Sequence, residues 1–204
     1  GMTSIAITDH GSLGNMYGFY YECIDNDIKP IIGCEIYLCE DCTAKDSEHR
    51  KLYHLVLIAK NDTGVKNLLK IVSDASVEYY YYKPRIDIEH IRDYTEGLIC
   101  TTACVGGYAP QLILENKLDE ARQHIDTLVE MFGDDLYLEI QPGSFQDQAT
   151  VNNALIGIAQ EKNIKLIATN DVHYISKDDW KTHDFHIRIQ RKEKAPENEN
   201  ESIY

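Results

Sequence analysis

The chain of 204 residues is short of several things, and each shortage narrows what it does. It has no apolar stretch approaching the roughly 18 to 20 residues that cross a bilayer. Its start has no charged segment followed by an apolar one, so a secretory leader is not expected and a cytoplasmic setting is. No GxGxxG or GxxxxGK[ST] follows an apolar run, which argues against nucleotide-binding Rossmann and P-loop domains. No GxSxG elbow exists, which argues against a serine hydrolase. Basic residues are scarce as well: 20 Lys and Arg face 34 Asp and Glu, for a net charge of −14. Phosphate-backbone affinity comes mainly from Lys and Arg, so this balance argues against a bare DNA-binding module. It suits a site built of carboxylates and imidazoles that works with cations.

What is present is a core of ordinary size. Hydrophobic residues make up 43% of the chain, enough for one ample domain. The six cysteines, without a secretion signal, read as free thiols rather than a disulfide framework. Cys39-Glu-Asp-Cys42 is a lone CxxC in a polar loop, half of a zinc knuckle and weak by itself.

Short apolar runs alternate with amphipathic stretches. Strands are expected at 5–7, 30–37, 54–59, 97–101, 136–140 and 165–169. Helices are expected at 13–26, after the Asn61-Asp62 cap, over 118–132, around 151–158 and from 176 to about 190. The polar segment from 191 to 204 reads as a frayed tail or the start of a linker. Six strands separated by helices predict a parallel α/β fold, and the pattern alone does not separate a barrel from an open sheet. No internal repeat is evident.

In such folds chemistry collects where strands give way to loops. The first strand ends on Asp9-His10, and the second carries Glu35. His54 stands at the mouth of the third. The fourth runs into Thr102-Ala-Cys-Val-Gly-Gly107, the fifth carries Glu139, and the sixth ends in Asn170-Asp-Val-His173. Singly, each is ordinary: a packed histidine, a solvated carboxylate, a small buried cysteine. Together, metal-competent side chains at six strand ends point to a shared metal site. Cys104 as a nucleophile beside the Gly106 and Gly107 amides would need an adjacent base. His49, His90 and His124 read as surface residues, while His183 and His186 sit three apart on the last helix, where capping or packing is the first reading and one facing the site the alternative. The tyrosine run Tyr79 to Tyr82 before Lys83-Pro84-Arg85 suits either base stacking beside a phosphate-binding arginine or an aromatic lid on a barrel rim.

The segments AITDHG, KPIIGCEIY, YHLVLIAKN, YYKPRID, EGLICTTACVGG, FGDDLYLEIQ and IATNDVHY follow one another over about residues 1 to 190. In order and spacing they resemble the PHP (polymerase and histidinol phosphatase) domain, in the version found at the N-terminus of bacterial replicative DNA polymerase III α subunits. That resemblance implies a distorted seven-stranded, TIM-like (β/α)7 barrel binding up to three divalent metal ions, zinc, manganese or iron. The matching ligand positions are His10, Glu35, His54, Cys104 (where many relatives have His), Asp171 and His173. Asp9 becomes a structural neighbour and Glu139 a barrel residue; Lys83, Arg85 and His183 are candidates for contacting substrate.

The family's opening strand, with its His-x-His, has no counterpart ahead of the TDH segment. The expectation is therefore six strands in an open barrel, fewer than three metals and an unpaired edge that a second copy would cover. The implied function is metal-dependent phosphoester hydrolysis, extending to 3′–5′ proofreading and weakened in this chain. The partners are DNA, through the rest of the polymerase, and the other polymerase domains. A non-catalytic scaffold and a free-standing phosphatase are the alternatives.

Overall fold

The computed structural model describes residues 1–143 and 146–192, so most of the expected tail lies outside the described residues. It divides into two units, Gly1–Thr169 and Asn170–Tyr204.

The first unit carries every described strand. In chain order its elements are β1 (Ser4–Ile7), α1 (Met16–Asp25), β2 (Lys29–Leu38), β3 (Tyr53–Ala59), α2 (Asp62–Val77), β4 (Arg85–Ile86), α3 (Ile88–Ile91), β5 (Leu98–Thr101), α4 (Tyr108–Leu114), α5 (Leu118–Phe132), β6 (Leu136–Ile140), α6 (Gln146–Lys162) and β7 (Lys165–Ala168). The strands form one curled sheet in the order β1-β2-β3-β5-β6-β7, with the two-residue β4 beside β2. This is the expected open, six-stranded partial barrel. β4 is too short to show any periodicity in the sequence.

One expectation needs correcting. The sheet is mixed, because β3 runs antiparallel to both β2 and β5 while the other ladders are parallel. The loop 39–52 returns the chain without the helical crossover that a parallel neighbour requires. An apolar run reads the same in either direction, so the pattern did not reveal it.

Alternation along the strands sorts the chemistry. Cys34, Ile36 and Leu38 of β2, Tyr53, Leu55 and Leu57 of β3, and Leu98 and Cys100 of β5 enter a core closed by Leu68, Ile71, Val72 and Ala75 of α2 and by Leu128 and Phe132 of α5. A second cluster joins Leu138 of β6 to Ala109 and Leu112 of α4, Ile125 of α5, and Val151 and Leu155 of α6. Each such Leu or Ile contributes about 1.5–3 kcal/mol of burial. The intervening residues, Glu35 and Tyr37 of β2, His54 of β3, Thr101 of β5 and Glu139 of β6, belong to the opposite face. That face is polar.

Local signals set the helix starts. The Asn61 side chain accepts the Gly64 amide at 2.9 Å, the expected cap of α2. In the second unit a capping box between Ser176 and Asp179 opens the turn leading into α7 (Trp180–Arg191). No helix among the described residues is long and apolar enough to cross a membrane.

Candidate metal centre

Glu35 is the centre of the polar face. The residue is 6% exposed, and its carboxylate lies between two imidazoles. Glu35 Oε1 accepts from Nδ1 of His54 at 2.6 Å, and Oε2 is 3.5 Å from Nε2 of His10. Two local arrangements bring these together. Beyond the paired part of β1 and β2, a further bridge joins His10 to Glu35, and the Gly11 amide donates to the Glu35 carbonyl at 2.9 Å. In the β2–β3 register Tyr37 faces His54, which sets Glu35 diagonally across from the imidazole. The ligand atoms of His10, Glu35 and His54 all lie within 4.8 Å of one another.

Cys104 joins from the loop after β5. Its Sγ is 3.6 Å from His54 Nδ1 and accepts the Gly106 amide at 3.3 Å. Ala103, with φ of +58°, turns the chain here. The Gly106 carbonyl accepts the His54 amide at 2.9 Å. A β-carbon on Gly106 would stand 3.1 Å from His54 Nδ1, so glycine leaves the imidazole its room.

Burial pushes the His54 imidazole down, but its hydrogen bonds to Cys104 and Glu35 outweigh this and raise it to about 10. Near neutral pH His54 is therefore a cation held by Glu35. A divalent ion taking the same oxygen and nitrogen atoms would replace that proton with its own charge. One carboxylate, two imidazoles and one thiol form a donor set suited to zinc, manganese or iron, so the residues fit the implied metal. Burial pushes the Cys34 thiol up to about 12 and the Cys39 thiol up to about 11, which unsuits these two as nucleophiles.

Asp171 and His173 belong to the second unit. There His173 Nδ1 is 2.7 Å from the Asp171 carbonyl oxygen and 3.8 Å from Oδ1, and the His173 ring lies 5.5 Å from that of His183. Asp9 accepts from the side-chain amide of Asn15, at the residue preceding α1, and its carbonyl accepts the Glu35 amide. Glu139 is a sheet tie, accepting from Thr101, Thr169 and Gln141 at 2.5, 2.5 and 2.9 Å.

The substrate-contact expectations divide. Lys83 Nζ stands 5.5 Å from the Tyr37 ring, and that ring lies 5.8 Å from His10 and 5.7 Å from His54. Arg85 is a correction. It is fully buried and donates to the carbonyls of Cys42, Ala44 and His49, so it pins the 39–52 loop instead of facing a phosphate. The tyrosine run is engaged with arginine: Arg85 stacks on Tyr81 and Arg50 on Tyr82. His124 is not a surface residue. It packs edge-on against Tyr108 beside a cavity of about 300 Å³, and burial pushes it down to about 4.

Sequence reasoning missed Tyr37, whose signal was its position two residues beyond Glu35, on the same face. It also missed a second cluster, Cys42, Asp87 and His90. Half of that cluster's signal was the CxxC.

With this geometry established, similarity to known proteins identifies the family. A model described as PHP domain matches residues 1–143. DNA polymerase III subunit alpha of Borreliella burgdorferi is 42% identical over 92% of this chain. The proteins of the same name from Aquifex aeolicus and Thermus aquaticus are 40% and 37% identical, over 94% and 93% of it. The chain spans only 16–17% of the length of these relatives. A solved structure from Bifidobacterium adolescentis, described as a candidate metal-dependent phosphoesterase, aligns over 85% of this chain and 78% of its own, with a TM-score of 0.49 and 13% identity. The chain belongs to the PHP domain family.

Proposed function

We propose that this chain acts as the PHP domain of a bacterial replicative DNA polymerase III α subunit, and that its Glu35 centre is that of a metal-dependent phosphoesterase able to trim DNA 3′ ends. The observation that carries this reading is a buried carboxylate held between two imidazoles, with a thiol beside them, on the polar face of a curled sheet. His10, Glu35, His54 and Cys104 would hold the ion; the likeness to the family makes Asp171 and His173 further candidate ligands. A bound divalent ion supplies Lewis-acid stabilisation of a phosphoryl oxygen. Glu35 fixes the orientation of both imidazoles. Tyr37 walls one side of the centre, and Lys83 above it offers a cation to the phosphate of a strand end. DNA extension, and pairing with the template, would fall to the remaining length of the relatives.

The test uses a 3′-labelled single-stranded oligonucleotide and a phosphodiester ester with Mn²⁺ or Zn²⁺. Turnover is expected that chelation removes and that Glu35→Gln, or Asp171→Ala with His173→Ala, abolishes. Turnover surviving both changes would overturn the assignment.

A second reading has its own support. Glu35 already satisfies two imidazoles within the protein, so the network coheres as a structural element of a polymerase scaffold. This reading predicts a melting temperature insensitive to chelator and no turnover.

A further inference from the structure

Away from Glu35, among the described residues, a second group of metal-competent side chains converges. Cys42 lies in the 39–52 loop, Asp87 caps α3, and His90 is on that helix. Cys42 Sγ is 3.4 Å from His90 Nδ1, and His90 Nδ1 is 2.7 Å from Asp87 Oδ1. The three ligand atoms lie within 4.8 Å of one another. Cys42 and Asp87 are buried, and the His90 side chain is partly exposed, which gives an ion a way in.

The spacing suits a tetrahedral ion. With Zn–S near 2.3 Å and Zn–N near 2.0 Å, two ligands on such an ion stand about 3.5 Å apart for sulfur and nitrogen, and about 3.3 Å for nitrogen and oxygen. The sulfur–nitrogen separation already matches. The nitrogen–oxygen pair needs to open by about 0.6 Å, within reach of a small ring rotation. The imidazole is backed by Tyr79, whose ring lies 4.7 Å away, so Nδ1 is held facing the thiol and carboxylate. Asp87 is fixed too, since its Oδ2 accepts the Cys42 amide at 3.1 Å. These are the outer contacts that orient ligands at a metal site. Cys39 is not part of the group: its Sγ is directed to the Ile86 carbonyl at 3.6 Å.

We propose that Cys42, Asp87 and His90 form a second divalent-metal site of the zinc type, separate from the Glu35 centre, that clamps the 39–52 loop to the start of α3. Binding releases the Cys42 thiol proton to solvent, and the resulting thiolate, the carboxylate and a neutral imidazole hold the ion, with solvent at the fourth position.

The probe is Co²⁺, whose thiolate complexes give a near-ultraviolet charge-transfer band. The 204-residue chain is stripped of metal and titrated as the Cys104→Ser variant, which leaves the Glu35 centre without a thiol. The expected result is a thiolate band that saturates with one equivalent of Co²⁺ at the Cys42 site, whatever the Glu35 centre binds without a thiol, and a higher melting temperature with Zn²⁺. Adding His90→Gln, a change at a partly exposed position, is expected to abolish the band and weaken binding by well over about 100-fold, beyond the roughly 10- to 100-fold typical of losing only an orienting contact. Cys42→Ser should do the same; His90→Gln keeps the test intact if the buried serine prevents folding. If Cys104→Ser does not fold, the comparison is the wild-type chain with His90→Gln, where one of two bands should vanish. No band in Cys104→Ser, or a band indifferent to His90→Gln, would overturn the proposal.

Discussion

Glu35 Oε1 and His54 Nδ1, on neighbouring antiparallel strands, are joined by a hydrogen bond of 2.6 Å. Because Oε2 of the same carboxylate faces His10, one side chain organises the centre from both ends. Glu35→Gln keeps the shape and removes the charge. Divalent affinity, read by isothermal titration, is expected to fall at least about 100-fold, and the His54 imidazole should titrate well below its present position. Unchanged affinity would mean that Glu35 is only a structural partner.

Glu139 should behave differently. It accepts from Thr101, Thr169 and Gln141, so Glu139→Ala leaves the buried Thr101 hydroxyl without its acceptor and loosens the half-buried Thr169 and Gln141. The expected cost is about 3–5 kcal/mol in urea denaturation, with Glu139→Gln costing roughly half as much. Metal stoichiometry in the folded fraction should not change.

The glycines after Cys104 separate crowding from clash. A β-carbon at position 106 meets His54 Nδ1 at 3.1 Å, whereas one at 107 meets the Thr102 carbonyl oxygen, a backbone atom, at 2.1 Å. Gly106→Ala is expected to fold with about 1 kcal/mol lost and metal affinity reduced. Gly107→Ala should lose about 3 kcal/mol or more, because the backbone itself has to move. Circular dichroism melts and metal titration distinguish the two.

His124 gives the pH dependence. Its folded value, about 4, lies below the unfolded 6.5, so between these values the unfolded chain binds the extra proton. Stability from this group is therefore full above about 6.5, declines as pH falls towards 4, and levels off below. The loss is of order 1–3 kcal/mol for this half-buried ring. His124→Phe should flatten that part of the stability–pH curve measured by denaturant titration; an unchanged slope would assign the acid sensitivity elsewhere.

The sequence disclosed elements better than directions. Ile5–Ile7, the Asn61 cap and the i, i+3, i+4 stripe of α2 were visible because burial imposes a period. The reversal of β3 was not, since Leu55 and Leu57 alternate identically either way. His10, Glu35, His54 and Cys104 were legible as metal-competent residues at strand ends, and the fold brings these four together. Arg85 was misread because a basic residue after tyrosines looks like a phosphate contact, while its burial depends on three carbonyls of a distant loop. His90 and Cys42, 48 residues apart, acquire meaning only when α3 docks on that loop.

The reversed strand also determines where this domain can change length. Because β3 runs backwards, His54 approaches the centre from the second residue of its strand, and the segment upstream, 39–52, adjoins the same rim as the loops following β1 and β5. An insertion there alters access to the centre while leaving the ladder intact. A single-residue deletion inside β3 is far more damaging: it presents Tyr53 or Leu55 to Glu35 and turns the imidazole into the hydrocarbon core. Variation in substrate access is thus expected in the loop, and near-constancy of length in the seven residues that follow it.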